Sequence, residues 1–354
     1  MDIFDYVEEY GDYTFEEKKF NEVDNVVFSA LSYANYKDIV SKYSDKKITI
    51  GEAGNKFFDN NPTSIFDVLG VRTGVKLLKK VKDTKRYKDI LMYNYSYVGN
   101  NECQFSAVTF ELDDKLCYVA FEGTDQLISG WKEDCMFSYE FPVKAQKYAI
   151  DYLNKNFTFN AKRLIVGGHS KGGNLALVSS MYCNFLVRSK IKKVYSNDGP
   201  GLRKEEFENR YHLIKRKFTH IIPNYSIVGL FLEHKDDYEV ITSTKKGMLA
   251  HSVSNWLIKD DHFVRDHLSK SSAVFEKAFS DWINQYDYET RKMFVEGLFK
   301  ALDDNGITSI VQIKKDISLV FKFVRSSKNI DPKIEDMLKD LFNLLNATNK
   351  EYVE

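Results

Sequence analysis

The spacing of hydrophobic residues changes along this chain of 354 residues. In the first ninety residues apolar positions recur every three or four residues, as in FNEVDNVVFSALSY (20–33) and IFDVLGVRTGVKLLKK (65–80). This periodicity predicts amphipathic helices, the second of them over 64–80. A further helix is predicted to begin at KRYKDI (85–90). From residue 91 the period shortens to two, as in MYNYSYVGN and CQFSAVTFEL, which predicts strands.

Further along, strand patterns and helix patterns alternate. KLCYVAFEGT, RLIVGG, IKKVYSND and FTHIIPN are typical of buried strands, and VKAQKYAIDYLNK and NLALVSSMYCNFLV have helical periodicity. This alternation predicts an α/β fold with a mostly parallel central sheet. From about Phe263 onward only helical patterns remain. We therefore predict an N-terminal helical segment packed on the core (1–90), an α/β core (91–265) and a helical C-terminal tail or cap (266–354).

Composition excludes several classes of function. Lys plus Arg and Asp plus Glu both number 51, so the net charge is zero, which argues against a nucleic-acid-binding protein. The acidic N-terminus lacks a signal-peptide core, and no apolar run is long enough to span a bilayer. The four cysteines are scattered without metal-site spacing. We expect a cytoplasmic bacterial protein with reduced thiols, without a metal ion or organic cofactor.

The candidate chemistry lies in LIVGGHSKGGNLALVS (164–179), where a strand pattern runs into a helix pattern. Gly168-His169-Ser170-Lys171-Gly172 fits G-x-S-x-G, the turn that holds a serine nucleophile between a strand and a helix. Glycines flank the turn because larger side chains would clash with the neighbouring backbone. The helix N-terminus supplies N–H groups that stabilise a developing oxyanion. The pattern predicts that Ser170 is a nucleophile.

A serine nucleophile requires a general base, which comes last along an α/β-hydrolase chain. His251, in GMLAHSVSNW, follows EVITSTKK, the last predicted strand, and is the favoured base. His262 and His267 are its closest rivals, whereas His220 lies within a predicted strand.

Several carboxylates could orient this histidine. Asp198, in VYSNDGPG, follows the first strand after the nucleophile helix and is the preferred acid, although turns of this composition often contain aspartate for conformational reasons. Asp236, Asp237 and Glu233 follow the next strand and are alternatives.

These stretches resemble known hydrolases. LIVGGHSKGGNLAL and CYVAFEGTD are similar to the nucleophile and oxyanion segments of class 3 lipases. The closer resemblance is to the Mbeg1-like family of bacterial α/β-hydrolase-like proteins, through GTDQLISGWKED, VYSNDGPG, IIPNYSIVGLFLEH and AHSVSNW in that order. It implies an α/β-hydrolase fold, with Thr124 and the backbone amide of Lys171 as the oxyanion hole. Trp131 and His169 are predicted to contact the substrate.

Two positions depart from the lipase pattern. Glu122 replaces the arginine of the usual FRGT loop, and a carboxylate beside an oxyanion hole would weaken it. Ser226 stands where class 3 lipases carry their catalytic aspartate, so Asp198 is the predicted substitute. Lys171 replaces the leucine of lipases and either favours an anionic substrate or forms a local salt bridge.

The sequence thus predicts a serine hydrolase of the lipase or esterase type, acting on a small-molecule or lipid ester through an acyl-enzyme. Glu122 and Ser226 favour an alternative, in which a catalytically weak α/β-hydrolase scaffold serves in binding. A thioesterase or acyltransferase would use the same residues. The amphipathic C-terminal helices suggest either packing on the core or peripheral contact with a membrane.

Overall fold

The computed structural model of the chain describes residues 1–61, 69–100, 102–125, 128–234, 238–309, 312, 318–327 and 331–350. Within these residues eight strands form one sheet, and their order in space follows their order in the chain. The strands are β1 Ile48–Thr49, β2 Leu91–Gly99, β3 Gln104–Asp113, β4 Leu116–Phe121, β5 Arg163–His169, β6 Ile191–Asn197, β7 Phe218–Pro223 and β8 Tyr238–Ile241, with β9 Ile258–Lys259 and β10 His262–Phe263 as a separate pair.

The described helices flank this sheet and extend beyond it. They are α1 Ile3–Tyr10, α2 Glu22–Leu31, α3 Ile50–Asn60, α4 Leu69–Val81, α5 Ile128–Met136, α6 Lys144–Phe157, α7 Lys171–Tyr182, α8 Phe185–Lys190, α9 Lys204–Arg210, α10 Lys270–Asn284, α11 Tyr288–Asp304, α12 Ser318–Ser326 and α13 Pro332–Lys350. Strands β1 to β4 pair antiparallel, and β4 to β8 pair parallel. The chain has the α/β-hydrolase fold with a mostly parallel central sheet, which confirms the predicted fold class.

Both faces of the sheet are covered, as β4 shows. Successive side chains of this strand point to opposite faces. Tyr118 and Ala120 belong to one buried cluster with side chains of α1 to α4, whereas Val119 and Phe121 belong to another with side chains of α6 and α7. Helix α2 packs on β4 and β5 from the first face. The parallel strands end at a common carboxyl edge, and their loops gather there.

Two predicted helices are wrong in detail. Residues 85–90 form turns instead of a helix, and they bury Arg86 and Tyr87 against Asp24 of α2. The stretch predicted as one helix after Ser170 is divided into α7 and α8 at Cys183, whose backbone is extended. The predicted helix over 64–80 begins in residues outside the described ranges, and its described part is α4.

The C-terminal helices use their apolar faces for packing. Trp282 of α10, Phe294 of α11 and Leu338 of α13 are buried in one cluster, against which side chains of α5 also pack. In the described ranges, no helix has both the length and the apolar character needed to cross a bilayer. Membrane contact through these helices and the predicted domain boundaries stay predictions.

Candidate active site

The turn between β5 and α7 holds Ser170 in a strained conformation. Its φ of 58° and ψ of −131° lie in a region that side-chain-bearing residues rarely adopt. The chain comes so close to itself here that a Cβ added to Gly168 would lie 2.3 Å from the carbonyl of Gly172, and one added to Gly172 would lie 2.1 Å from the carbonyl oxygen of Phe121. The glycines of the motif are therefore required by backbone contact.

A carboxylate and a histidine meet at the same edge of the sheet. Asp198 directly follows β6 and is fully buried, and its Oδ2 accepts a hydrogen bond of 2.6 Å from Nδ1 of His251. His251 lies in the loop after β8 with its side chain half-buried. Because Nδ1 donates to the carboxylate, the other ring nitrogen, Nε2, is the one free to accept a proton.

Ser226, which follows β7, supports this carboxylate. Its Oγ donates to Oδ1 of Asp198 at 2.5 Å, and the backbone N–H of Gly229 donates to the same oxygen at 3.1 Å. The two oxygens of Asp198 thus have separate partners: Oδ1 is held by Ser226 and Gly229, and Oδ2 by His251. In the sequence Ser226 stands out only as the replacement of an aspartate, and no local pattern predicts its contact with Asp198.

His169 links the nucleophile turn to the loop that carries His251. Its Nε2 donates to the backbone carbonyl of His251 at 2.8 Å, and its Nδ1 accepts from the Tyr33 hydroxyl at 2.9 Å. Burial and the neighbouring His251 lower the pKa of His169 to about 3, so the ring is neutral at physiological pH. Both ring nitrogens are thus bonded within the protein, and a contact between His169 and the substrate stays a prediction. Tyr33 lies just beyond α2, and no sequence motif pointed to it.

The two predicted oxyanion donors lie on neighbouring segments. Lys171 is the first residue of α7, so its backbone N–H belongs to the helix N-terminus. Thr124 lies just after β4, and its hydroxyl donates to Asp134 of α5. This contact leaves only the backbone N–H of Thr124 for an oxyanion. Trp131 donates from its indole to the Asp125 carbonyl at 3.2 Å, which ties α5 to the same segment, while its contact with substrate stays a prediction.

The Lys171 side chain points into the protein. Its Nζ lies 2.5 Å from Oε2 of Glu133 in α5 and 2.8 Å from the Gln104 carbonyl, and both charged side chains are buried. Of the two predicted roles for this lysine, the salt bridge is the one formed. Glu133 also accepts from the backbone N–H of Ala145 at the start of α6. The pair therefore fastens α5 to the nucleophile turn.

Two buried carboxyl groups lie near the oxyanion segment. Burial raises the pKa of Glu122 well above its usual value, and the nearby Asp125 raises it further. Burial likewise raises the pKa of Asp134 to about 6, although Lys171 acts in the opposite direction. The neutral form of Glu122 is therefore favoured, and a neutral carboxyl group does not repel an oxyanion as a carboxylate would.

The rival residues lie elsewhere. His262 and His267 are exposed, and the ring of His262 is bonded to its neighbour Asp261. Glu233 pairs through its backbone with Leu202, and Asp236 and Asp237 lie outside the described residues. In the same part of the chain, no group of three or more His, Cys, Asp or Glu side chains is arranged to hold a metal ion.

Comparisons with known proteins place this geometry in context. The family model described as Mbeg1-like matches residues 81–300, which include Ser170, Asp198 and His251. No curated protein matches the sequence. A fungal lipase solved as an inhibitor complex is 14% identical, with 62% of this chain and 76% of the lipase covered and a TM-score of 0.36. Lipase II from Rhizopus niveus is 14% identical, with 65% and 80% covered and a TM-score of 0.37. M37 lipase is 15% identical, with 58% and 68% covered and a TM-score of 0.34.

Proposed function

The chain belongs to the Mbeg1-like family, and we propose that it is a serine hydrolase that cleaves a carboxylic ester through an acyl-enzyme intermediate. The hydrogen bond between His251 and the buried Asp198 carries this proposal. The His251 loop is fastened to the nucleophile turn, because His169, which precedes the strained Ser170, donates to the His251 backbone carbonyl. A histidine fixed by a carboxylate is the base that a serine hydroxyl needs.

In the proposed reaction, Oγ of Ser170 attacks the acyl carbonyl carbon while Nε2 of His251 takes the hydroxyl proton. The backbone N–H groups of Thr124 and Lys171 donate to the oxyanion that forms. The carbon–oxygen bond to the leaving alcohol then breaks, and His251 returns the proton to that alcohol. Water next attacks the acyl-serine with His251 again as the base, which releases the acid and restores Ser170.

The surface next to His251 supports an ester with an apolar acyl group. Met248 and Leu249 lie in the turn just before the histidine and are 52% and 56% exposed. Apolar side chains exposed beside a candidate active site can contact a hydrocarbon chain of the substrate. We therefore expect esters of medium-chain acids to be cleaved faster than acetate esters.

The proposal is tested with a fluorophosphonate probe, which modifies only an activated serine. We expect the full-length protein to be labelled at Ser170, and the Ser170→Ala variant to remain unlabelled with unchanged thermal unfolding. Nitrophenyl esters of increasing acyl length, and a matching thioester, then measure turnover and identify the preferred bond. The Ser254→Ala variant is a suitable control, because Ser254 lies near His251 in sequence but bonds only to Ser252 in the described chain.

The alternative of a binding scaffold makes the opposite prediction. A folded wild-type protein that resists the probe and cleaves none of these substrates would contradict the hydrolase proposal. Preferred cleavage of the thioester would keep the mechanism and change the substrate class.

A further inference from the structure

The amino edge of the parallel strands lies opposite the candidate active site and carries concentrated positive charge. Arg163 begins β5, Lys192 is the second residue of β6, and Lys217 directly precedes β7. These residues are neighbours because the three strands are paired in parallel. In the described chain none of them forms an ion pair with a carboxylate within 4.0 Å. Asp113 and Asp114 are exposed in the turn before β4 and lie at one border of this region.

These cations are close enough to affect one another. Nζ of Lys217 donates to the backbone carbonyl of Arg188 at 3.2 Å. Burial lowers the pKa of Lys217, and the charges of Lys192, Arg188 and Arg163 lower it further. The whole chain has no net charge, so this edge concentrates positive charge that is balanced elsewhere in the molecule. An anionic partner would relieve the repulsion.

Exposed apolar side chains project from the loops at the same edge. Phe159, between α6 and β5, is 98% exposed, and Phe185 and Leu186 at the start of α8 are 72% and 51% exposed. The two loops are joined, because the Asn184 side chain donates to the Thr158 hydroxyl at 2.8 Å. Lys190, at the end of α8, also donates to backbone carbonyls at the end of α6. The two segments that carry these apolar side chains are thus bonded to each other.

We propose that this surface, the basic edge, binds anionic lipid bilayers. The basic edge is defined by Arg163, Lys192, Lys217, Phe159 and Phe185. Phenylalanine side chains can enter the boundary between headgroups and acyl chains, while Lys and Arg contact anionic headgroups. A bilayer suits this surface better than a folded acidic protein does, because Phe159 projects from the protein and does not line a groove. Binding through the basic edge would turn the candidate active site away from the bilayer.

The test is flotation of the full-length protein with vesicles. We expect it to float with vesicles of phosphatidylcholine and phosphatidylglycerol, to stay behind with phosphatidylcholine alone, and to be released by high salt. Two variants should each lower the partition coefficient, namely Phe159→Ser/Phe185→Ser and Lys192→Glu. For Lys192→Glu we expect a fall of about fivefold or more, because one cation near an anionic surface contributes about that factor. Tyr97→Ser, near the end of β2, and Lys245→Glu, after the end of β8, are exposed controls towards the opposite edge of the sheet and should bind normally.

Several outcomes would overturn the proposal. It fails if the wild type does not float with the anionic vesicles, even if it is retained by immobilised polyglutamate, because the occupant would then be an acidic protein. It also fails if both variants float like the wild type, which would assign binding to another surface such as the C-terminal helices. Thermal unfolding and hydrolysis of a soluble ester should be unchanged in the variants. Loss of ester hydrolysis would concern the proposed reaction and not the basic edge.

Discussion

Asp24 and Asp198 are both completely buried, the first beneath the N-terminal helices and the second at the carboxyl edge of the sheet. Asp24 receives two bonds from the Arg86 guanidinium, at 2.8 and 2.5 Å, and one from the Tyr87 hydroxyl at 2.6 Å. Asp198 instead receives hydrogen bonds from Ser226, a backbone N–H and His251.

The hydrogen-bond partners of Asp24 and Asp198 differ in whether they can exchange a proton. Arginine stays protonated at any physiological pH, so the Asp24 cluster has a fixed charge and joins α2 to the turn before β2. Histidine is the side chain that can gain and lose a proton near neutral pH, and the side chain of His251 is partly exposed in a loop bonded to His169. Burial alone therefore does not distinguish the two carboxylates, and it is the titratable, accessible partner that makes Asp198 the candidate catalytic acid.

The largest effect is expected from Asp198→Asn. An amide at this position would favour the wrong tautomer of His251 and would not stabilise its positive charge, so kcat should fall by about 10³- to 10⁴-fold. Steady-state hydrolysis of a soluble ester measures this effect. The control is Asp24→Asn, whose remaining folded molecules should hydrolyse the ester at the wild-type rate. If Asp198→Asn retains more than a tenth of kcat, another carboxylate orients His251.

The complementary change is Arg86→Met, which leaves the Asp24 carboxylate buried without its cation. We expect the free energy of unfolding to fall by about 3–5 kcal/mol, measured by urea unfolding, while kcat per folded molecule stays constant. Replacing both members, in Asp24→Leu/Arg86→Met, should recover much of the lost stability because no unpaired charge remains. A large fall in kcat at full folding would show instead that this cluster positions the active site.

The nucleophile turn could be predicted because its strongest signals are contiguous in the chain. A strand pattern runs directly into a helix pattern, and Gly168 meets Gly172 within the turn, although Gly172 is also required by its contact with Phe121 of β4. The turn residues 85–90 were predicted wrongly, since Arg86 is positioned by a partner distant in the chain. A local helical pattern cannot reveal that a charged side chain will be buried against Asp24.

Long-range partners also limited the prediction of the site. Asp198, His251 and Ser226 come from three separate loops, and only the parallel order of β6, β7 and β8 brings these loops together. The choice of His251 followed from chain order, but the contact between Ser226 and Asp198 depends on the register of β6 with β7. The role of His169 depends similarly on Tyr33, which lies in the N-terminal segment.

A third buried group, His220, sharpens the comparison because it has no charged partner. Neither ring nitrogen has a hydrogen-bond partner among the described residues, and burial lowers the pKa of His220 to about 3. An unfolded histidine titrates near 6.5, so below that pH the unfolded chain binds a proton that the folded chain excludes. This contribution to stability is therefore present above pH 6.5 and is lost as the pH falls.

Between pH 7 and pH 5 the free energy of unfolding should fall in both proteins. We expect the fall in His220→Leu to be about 2 kcal/mol smaller than the fall in the wild type. Urea unfolding at the two pH values measures the difference. Some acid sensitivity should remain in the variant, because burial lowers the pKa of His169 in the same direction. Identical pH dependence of the two proteins would mean that His220 binds a proton equally well in the folded and unfolded chains.

The smallest effect is expected at Ser226. Ser226→Ala removes one of the two donors to Oδ1 of Asp198, and a hydrogen bond to a charged group contributes about 1.5 kcal/mol, so kcat should fall about tenfold. KM should stay constant, since Ser226 acts through Asp198 and does not touch the substrate in the proposed reaction. Ser226→Thr keeps the hydroxyl and should retain most of kcat. An equal fall in both variants would indicate a packing defect.

Ser226 also allows the position of the acid itself to be tested. Its Oγ lies only 2.5 Å from Oδ1 of Asp198, so a carboxylate attached to residue 226 would reach almost the same space from the end of β7. Asp198→Ser/Ser226→Asp exchanges the two side chains and keeps one carboxylate and one hydroxyl. We expect it to recover at least about tenfold of the kcat that Asp198→Ser loses, as the remaining carboxylate can again bond to Nδ1 of His251. If the exchanged variant has no higher kcat than Asp198→Ser, the direction from which the carboxylate approaches His251 is decisive. The acid must then follow β6.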